Sequence, residues 1–172
     1  MPGMSRRTVL RSIPGEGAAA TILGRGGDDQ IIVRGDVEAV LDAGAGGDRI
    51  EISDIGRNLR MLLGAGADTV VVEALQGDRF RLVFTDFQAG AGGDRLELLS
   101  YLRFNLTTWD EDTNPFATGH LRLVQDGADA RLQASPSADG DWRDLVVFKG
   151  TNAAALTAEN LGGYPTRGGA PR

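Results

Sequence analysis

Four segments of this chain carry one arrangement: glycines at alternate turn positions, then an aspartate, then an aliphatic run. They span residues 24–33 (GRGGDDQIIV), 44–52 (GAGGDRIEI), 64–72 (GAGADTVVV) and 90–98 (GAGGDRLEL). The last three read G-x-G-x-D-x-U-x-U, where U is aliphatic. A unit this short cannot bury an apolar face alone, so its copies must stack on one another. The key acids are Asp28 or Asp29, then Asp48, Asp68 and Asp94, at spacings of 19 or 20, 20 and 26 residues. In the first copy the glycines align if Asp28 is the key acid, and the strand aligns if Asp29 is.

Weaker turns lie midway between the strong ones, at Gly15-Glu-Gly17, Arg34-Gly-Asp36, residues 53–58 and Gln76-Gly-Asp78. Each precedes a short apolar run: Ala18 to Leu23, Val37 to Leu41, Leu59 to Leu63 and Phe80 to Phe84. A chain wound in nine-residue half-turns returns to the same edge about every 18 residues. Extra residues on the weaker edge account for the longer repeat. The aliphatic residue two places after each acid (Ile31, Ile50, Val70, Leu96) is expected to face a narrow core between two sheets.

The residue types serve one chemistry. Glycine at alternate positions permits positive φ and close approach of one turn to the next. Such turns present several carbonyl oxygens together, and the aspartate adds a charged one. A hard cation such as calcium takes six to eight oxygens. One turn of this kind would suit a hairpin in a β-sandwich; four in series favour a stacked, cation-collecting edge.

Composition agrees. The chain has 25 glycines in 172 residues, about twice the number that average usage gives. A net charge of −6 disfavours nucleic acid, whose phosphates it repels. Cysteine is absent, which removes disulfides, thiolate ligands and cysteine nucleophiles. No apolar run is long enough to span a membrane, and no apolar stretch follows Arg6, Arg7 and Arg11, so a cleaved secretory signal is not expected. The single histidine, His120, rules out a His-Glu-x-x-His zinc site and is expected on an exposed strand face. Most acids sit in glycine turns rather than as a paired catalytic set, so no enzymatic activity is expected. Arg34-Gly-Asp36 spells a cell-adhesion tripeptide of a kind common by chance.

These segments resemble the nonapeptide repeats of haemolysin-type, repeats-in-toxin calcium-binding proteins. The resemblance implies that turn carbonyls and the aspartates of stacked turns cage calcium. It places Asp29, Asp48 and Asp68, with the carbonyls around Gly44, Gly46, Gly64 and Gly66, among the ligands. Gly24, Gly26 and Asp28 belong to the same set through the first copy, and Asp86, Gly90, Gly92 and Asp94 through a closing ion. Ala43 and Leu63 stand where the family has a first glycine, and the opposite edge has nearly lost the motif, so ions are expected along one edge only. Residues 84–100 (FTDFQAGAGGDRLELLS), 114–133 and 156–161 (LTAENL) are similar to the type I secretion C-terminal target domain. That implies secretion to the exterior through type I machinery, with an uncleaved signal at the C-terminus.

The implied fold is all-β: a parallel β-roll, a calcium-binding β-solenoid, capped by a C-terminal antiparallel β unit. The divisions are a lead-in over 1–14, the roll over 15–98, the cap and secretion target region over 99–161 and a tail over 162–172. In the cap, strands are expected over Gly119 to Val124, Ala130 to Ala134 and Leu145 to Phe148. A short helix is expected over Ala153 to Leu161, N-capped by Asn152, and Trp109 and Trp142 are expected to serve packing. The expected function is a monomeric, non-catalytic module that folds on extracellular calcium. The alternative is a module binding a polysaccharide or cell surface.

Overall fold

The structure is a computed structural model and describes residues 7–11, 20–35, 38–53, 58–73 and 81–166, with side chains from residue 21 onward. The weaker turns at 15–17, 54–57 and 76–78, and Asp36 of the tripeptide, lie outside the described residues. Among the described residues strands dominate, joined by one α-helix.

The first nine strands are β1 (Arg7–Arg11), β2 (Ala20–Leu23), β3 (Gln30–Arg34), β4 (Ala39–Asp42), β5 (Arg49–Ser53), β6 (Leu59–Leu62), β7 (Thr69–Val72), β8 (Leu82–Phe84) and β9 (Arg95–Glu97). Odd-numbered strands form one sheet in the order β1-β3-β5-β7-β9, all parallel. Even-numbered strands lie in a second sheet, parallel in the order β8-β6-β4-β2. From β1 to β9 each strand therefore pairs with a strand two places away, never with its neighbour in sequence.

Burial follows strand alternation. In β6 and β7 every second side chain is buried, and in β5 Ile50 and Ile52 are, with Ser53 buried at its end. Ile31, Ile50, Val70 and Leu96 form one in-register column and are fully buried, as the repeat predicts. Leu41, Leu59, Met61, Leu82 and Phe84 meet them from the second sheet within one core. Each such side chain contributes roughly 1.5–3 kcal/mol. Ala43 and Leu63 are also fully buried in that core, so the residue before the turn's first glycine in each of these copies adds apolar burial.

Beyond β9 the helix α1 spans Leu99–Asn105, with Leu102 its buried residue. The sequence reading did not anticipate it, since seven residues carry too few turns for a clear apolar period. Then β10 (Leu121–Asp126), β11 (Asp129–Ala134) and β12 (Arg143–Phe148) form an antiparallel unit close to the expected boundaries. Gly127, at φ 58°, makes the tight turn between β10 and β11. Strand β12 pairs parallel with β8, so the unit extends the second sheet. Phe84, Phe87 and Phe148 join the two parts, with ring centroids 4.9–5.5 Å apart.

The expected C-terminal helix is two short 3-10 turns, Ala153–Ala155 and Glu159–Leu161, separated by Leu156 in extended conformation. Asn152 does cap the first, its side chain accepting from the Ala154 N–H. Trp109 meets Tyr164 edge to face, and Trp142 lies under the Arg122 guanidinium, 4.2 Å from the ring centroid. His120 is a correction. It is buried rather than exposed, with its two ring nitrogens against the hydroxyls of Thr108 (3.0 Å) and Thr118 (2.9 Å). It precedes β10, so strand alternation does not govern it. No described helix is long and apolar enough to cross a membrane.

Candidate functional site

The four key aspartates stand at the N-terminal ends of β3, β5, β7 and β9, one above another. The Asp29 N–H donates to Asp48 Oδ1 (2.7 Å), the Asp48 N–H to Asp68 Oδ1 (2.7 Å), and the Asp68 N–H to Asp94 Oδ1 (3.0 Å). Each carboxylate thus holds the backbone of the preceding copy. The ladder settles the first copy's register: Asp29 joins the column, while Asp28 lies at the solvent rim and accepts the Gly47 N–H at 2.9 Å.

That register shifts the first copy's glycines. Gly26 bridges to Ala45, and Ala45 to Ala65, so Arg25 and Gly27 stand beside Gly44 and Gly46. Both positions are left-handed: φ is 83° at Arg25, 103° at Gly44 and 92° at Gly64, and 98° at Gly27 against 140° at Gly46 and Gly66. The predicted Gly24 and Gly26 each lie one residue before the left-handed positions. Arg25 carries the strain that glycine avoids in the other copies.

The turns stack too closely for side chains. A Cβ on Gly44 would lie 2.1 Å from the Arg25 carbonyl oxygen, and one on Gly64 would lie 1.7 Å from that of Gly44. On Gly46 and Gly66 it would lie 2.5 and 1.9 Å from the carbonyl oxygens of Gly27 and Gly46. Successive turns are thus in direct backbone contact.

The fourth copy departs from this pattern. A Cβ on Gly90 or Gly92 would meet nothing within 4 Å, so these glycines do not pack on the third copy's turn. Side chains close the stack instead. Asp86 accepts the N–H groups of Leu63 (2.8 Å) and Gly64 (2.9 Å), and Gln88 Nε2 donates to the Gly64 carbonyl (2.9 Å). Asp94 uses its second oxygen to accept the Gln88 N–H at 2.7 Å. Each oxygen of Asp86 and Asp94 therefore already accepts a main-chain N–H.

Asp48 and Asp68 differ. Both are buried, 2% and 0% exposed, and the Oδ2 atom of each has no hydrogen-bond partner among the described residues. A buried oxygen of this kind is costly if charged. Desolvation raises the Asp68 carboxyl to about 7, outweighing the Asp48 N–H bond, with Asp94, Asp48 and Asp86 adding repulsion. Burial likewise raises Asp48, helped by Asp29 and Asp28, and raises Asp94 against its two N–H bonds. The column can be relieved by a proton or by a cation. Among the described residues no three or more His, Cys, Asp or Glu side chains gather into a metal-holding group. Any cation here would draw most of its ligands from main-chain carbonyls.

Sequence reasoning placed Asp86 at the closing turn as an ion ligand, where the structure gives its oxygens the Leu63 and Gly64 N–H groups, and it missed Gln88. The only trace was the Thr-Asp-Phe-Gln run before the fourth glycine turn. No protein-family model matches this chain, and no curated protein matches it.

Proposed function

We propose that the two stacked sheets are the walls of a calcium-binding β-roll, and that the chain is a non-catalytic, monomeric module, secreted by type I machinery, which folds on meeting extracellular calcium. The observation that carries this reading is the pair of buried carboxylate oxygens on Asp48 and Asp68 that have no hydrogen-bond partner among the described residues, in a column behind closely stacked glycine turns. The donor set is all oxygen, the set calcium takes. Asp29, Asp48 and Asp68, with carbonyls around Gly27, Gly44, Gly46, Gly64 and Gly66, would hold the ions. Asp86, Gln88 and Asp94 would close the stack without one.

Calcium bound there supplies positive charge that offsets the repulsion within the column, so binding energy becomes folding energy. Where calcium is scarce the acids oppose stacking, and the chain stays in the open form that a narrow export channel needs. The export part of the reading rests on the likeness of residues 84–100, 114–133 and 156–161 to secretion target domains. The alternative, a polysaccharide- or surface-binding module, predicts exposed aromatics or rows of Thr and Asn on one face; Phe104 is exposed, but Arg122 covers the Trp142 ring.

Calorimetric titration and circular dichroism of the whole chain, in chelator and in millimolar calcium, test the proposal. Calcium uptake with a gain of β signal is expected, and magnesium should not reproduce it. Equal structure in both conditions with no uptake refutes it.

A further inference from the structure

Asn160 is fully buried, and its amide is saturated. Its Oδ1 accepts the Gly90 N–H (2.9 Å), the Thr157 N–H (3.0 Å) and the Thr157 hydroxyl (3.0 Å), while Nδ2 donates to the carbonyls of Gly90 (3.0 Å) and Asp94 (2.8 Å). One side chain thus ties the C-terminal segment to the closing turn of the stack, across 66–70 residues of sequence. Arg95 and Glu159 add an ion pair at 2.7 Å between β9 and the same segment. Leu156 and Leu161 are buried in the common core.

The contact lies at the end of a continuous relay. Asn160 holds Asp94 by its carbonyl, Asp94 holds Asp68 by its N–H, and Asp68 and Asp48 repeat the bond toward Asp29. We infer that the segment from Leu156 to Tyr164 is a strap coupled through Asn160 to the cation edge, so that loading the edge docks the strap on the closing turn. This inference rests on the calcium reading above. Coupling of this kind is reciprocal: whatever docks the strap tightens cation binding, and whatever releases it weakens it by the same factor.

The test measures calcium affinity and amide hydrogen exchange on the whole chain, as wild type, Asn160→Ala, Thr157→Ala and Asn152→Ala. In wild type, calcium should slow exchange of amides 157–163 at least about tenfold, a typical coupling. Asn160→Ala should weaken calcium binding by about tenfold and abolish that protection. Thr157→Ala loses only the hydroxyl contact to the Asn160 amide and should shift both readouts the same way, less far; it decides the matter if Asn160→Ala does not fold. Asn152→Ala loses a helix-turn cap in the same region, without contact to Gly90 or Asp94, and should leave affinity unchanged. Unchanged affinity in both Asn160→Ala and Thr157→Ala, or equal strap protection with and without calcium, overturns the coupling while leaving the calcium reading intact. No calcium uptake by wild type overturns both.

Discussion

Replacing Asp68 with asparagine should stabilise the chain without calcium and remove most of what it gains from calcium. Asp68 is fully buried and its carboxyl is raised from 3.8 to about 7, chiefly by desolvation. Below about pH 4 the carboxyl is protonated both folded and unfolded, and it carries no penalty. Between about pH 4 and 7 the unfolded chain ionises while the folded one keeps its proton, so stability falls as pH rises. Above pH 7 the full cost is present. A shift near three units at about 1.4 kcal/mol each gives roughly 4 kcal/mol as an upper value. Asparagine keeps an oxygen for the Asp48 N–H and carries no charge, so in chelator at pH 8 the Asp68→Asn chain should be the more folded. With calcium the difference should shrink and close, because wild type gains about 4.1 kcal/mol at a thousand times its dissociation constant and the variant lacks the carboxylate. Urea unfolding by far-UV circular dichroism, at pH 5 and 8, with chelator and with calcium, reads all four conditions. A variant less stable than wild type in chelator at pH 8, or one with an undiminished calcium gain, refutes the reasoning.

Gly66→Ala places a Cβ 1.9 Å from the Gly46 carbonyl oxygen, whereas Gly92→Ala meets open space at φ 72°. In calcium-loaded urea unfolding the first should cost roughly 3 kcal/mol or more, and the second only the roughly 1–2 kcal/mol of left-handed strain; equal costs would contradict the stacking. Burial lowers the His120 pKa below its ordinary value, so its neutral form stabilises the cap above about pH 6.5 and that contribution is lost as pH falls. Thermal melts at pH 7 and 5 should show a drop that His120→Gln removes, opposite in sign to the acid stabilisation of the calcium-free Asp68 column.

The sequence alone determined the repeat logic. A period-two apolar pattern behind each aspartate fixed which side chains face inward, so Ile31, Ile50, Val70 and Leu96 could be assigned to one buried column. Left-handed turns were legible from the glycines at 44, 46, 64 and 66, since few other residues tolerate that backbone. The antiparallel unit over 121–148 was readable from alternation around the Asp126-Gly127 turn. Tertiary structure decided what depends on a neighbouring copy. Whether Asp28 or Asp29 joins the ladder is set by the second copy's N–H groups, because the two acids are adjacent and chemically identical. Asp86, Gln88 and Asn160 take their roles from backbone groups left unpaired where the stack ends, many residues away in sequence. His120 was misread for the same reason, since two threonine hydroxyls satisfy its ring in the interior. Local sequence specifies backbone shape and apolar direction, but the partner of a polar side chain is whichever buried group the assembled fold leaves without one.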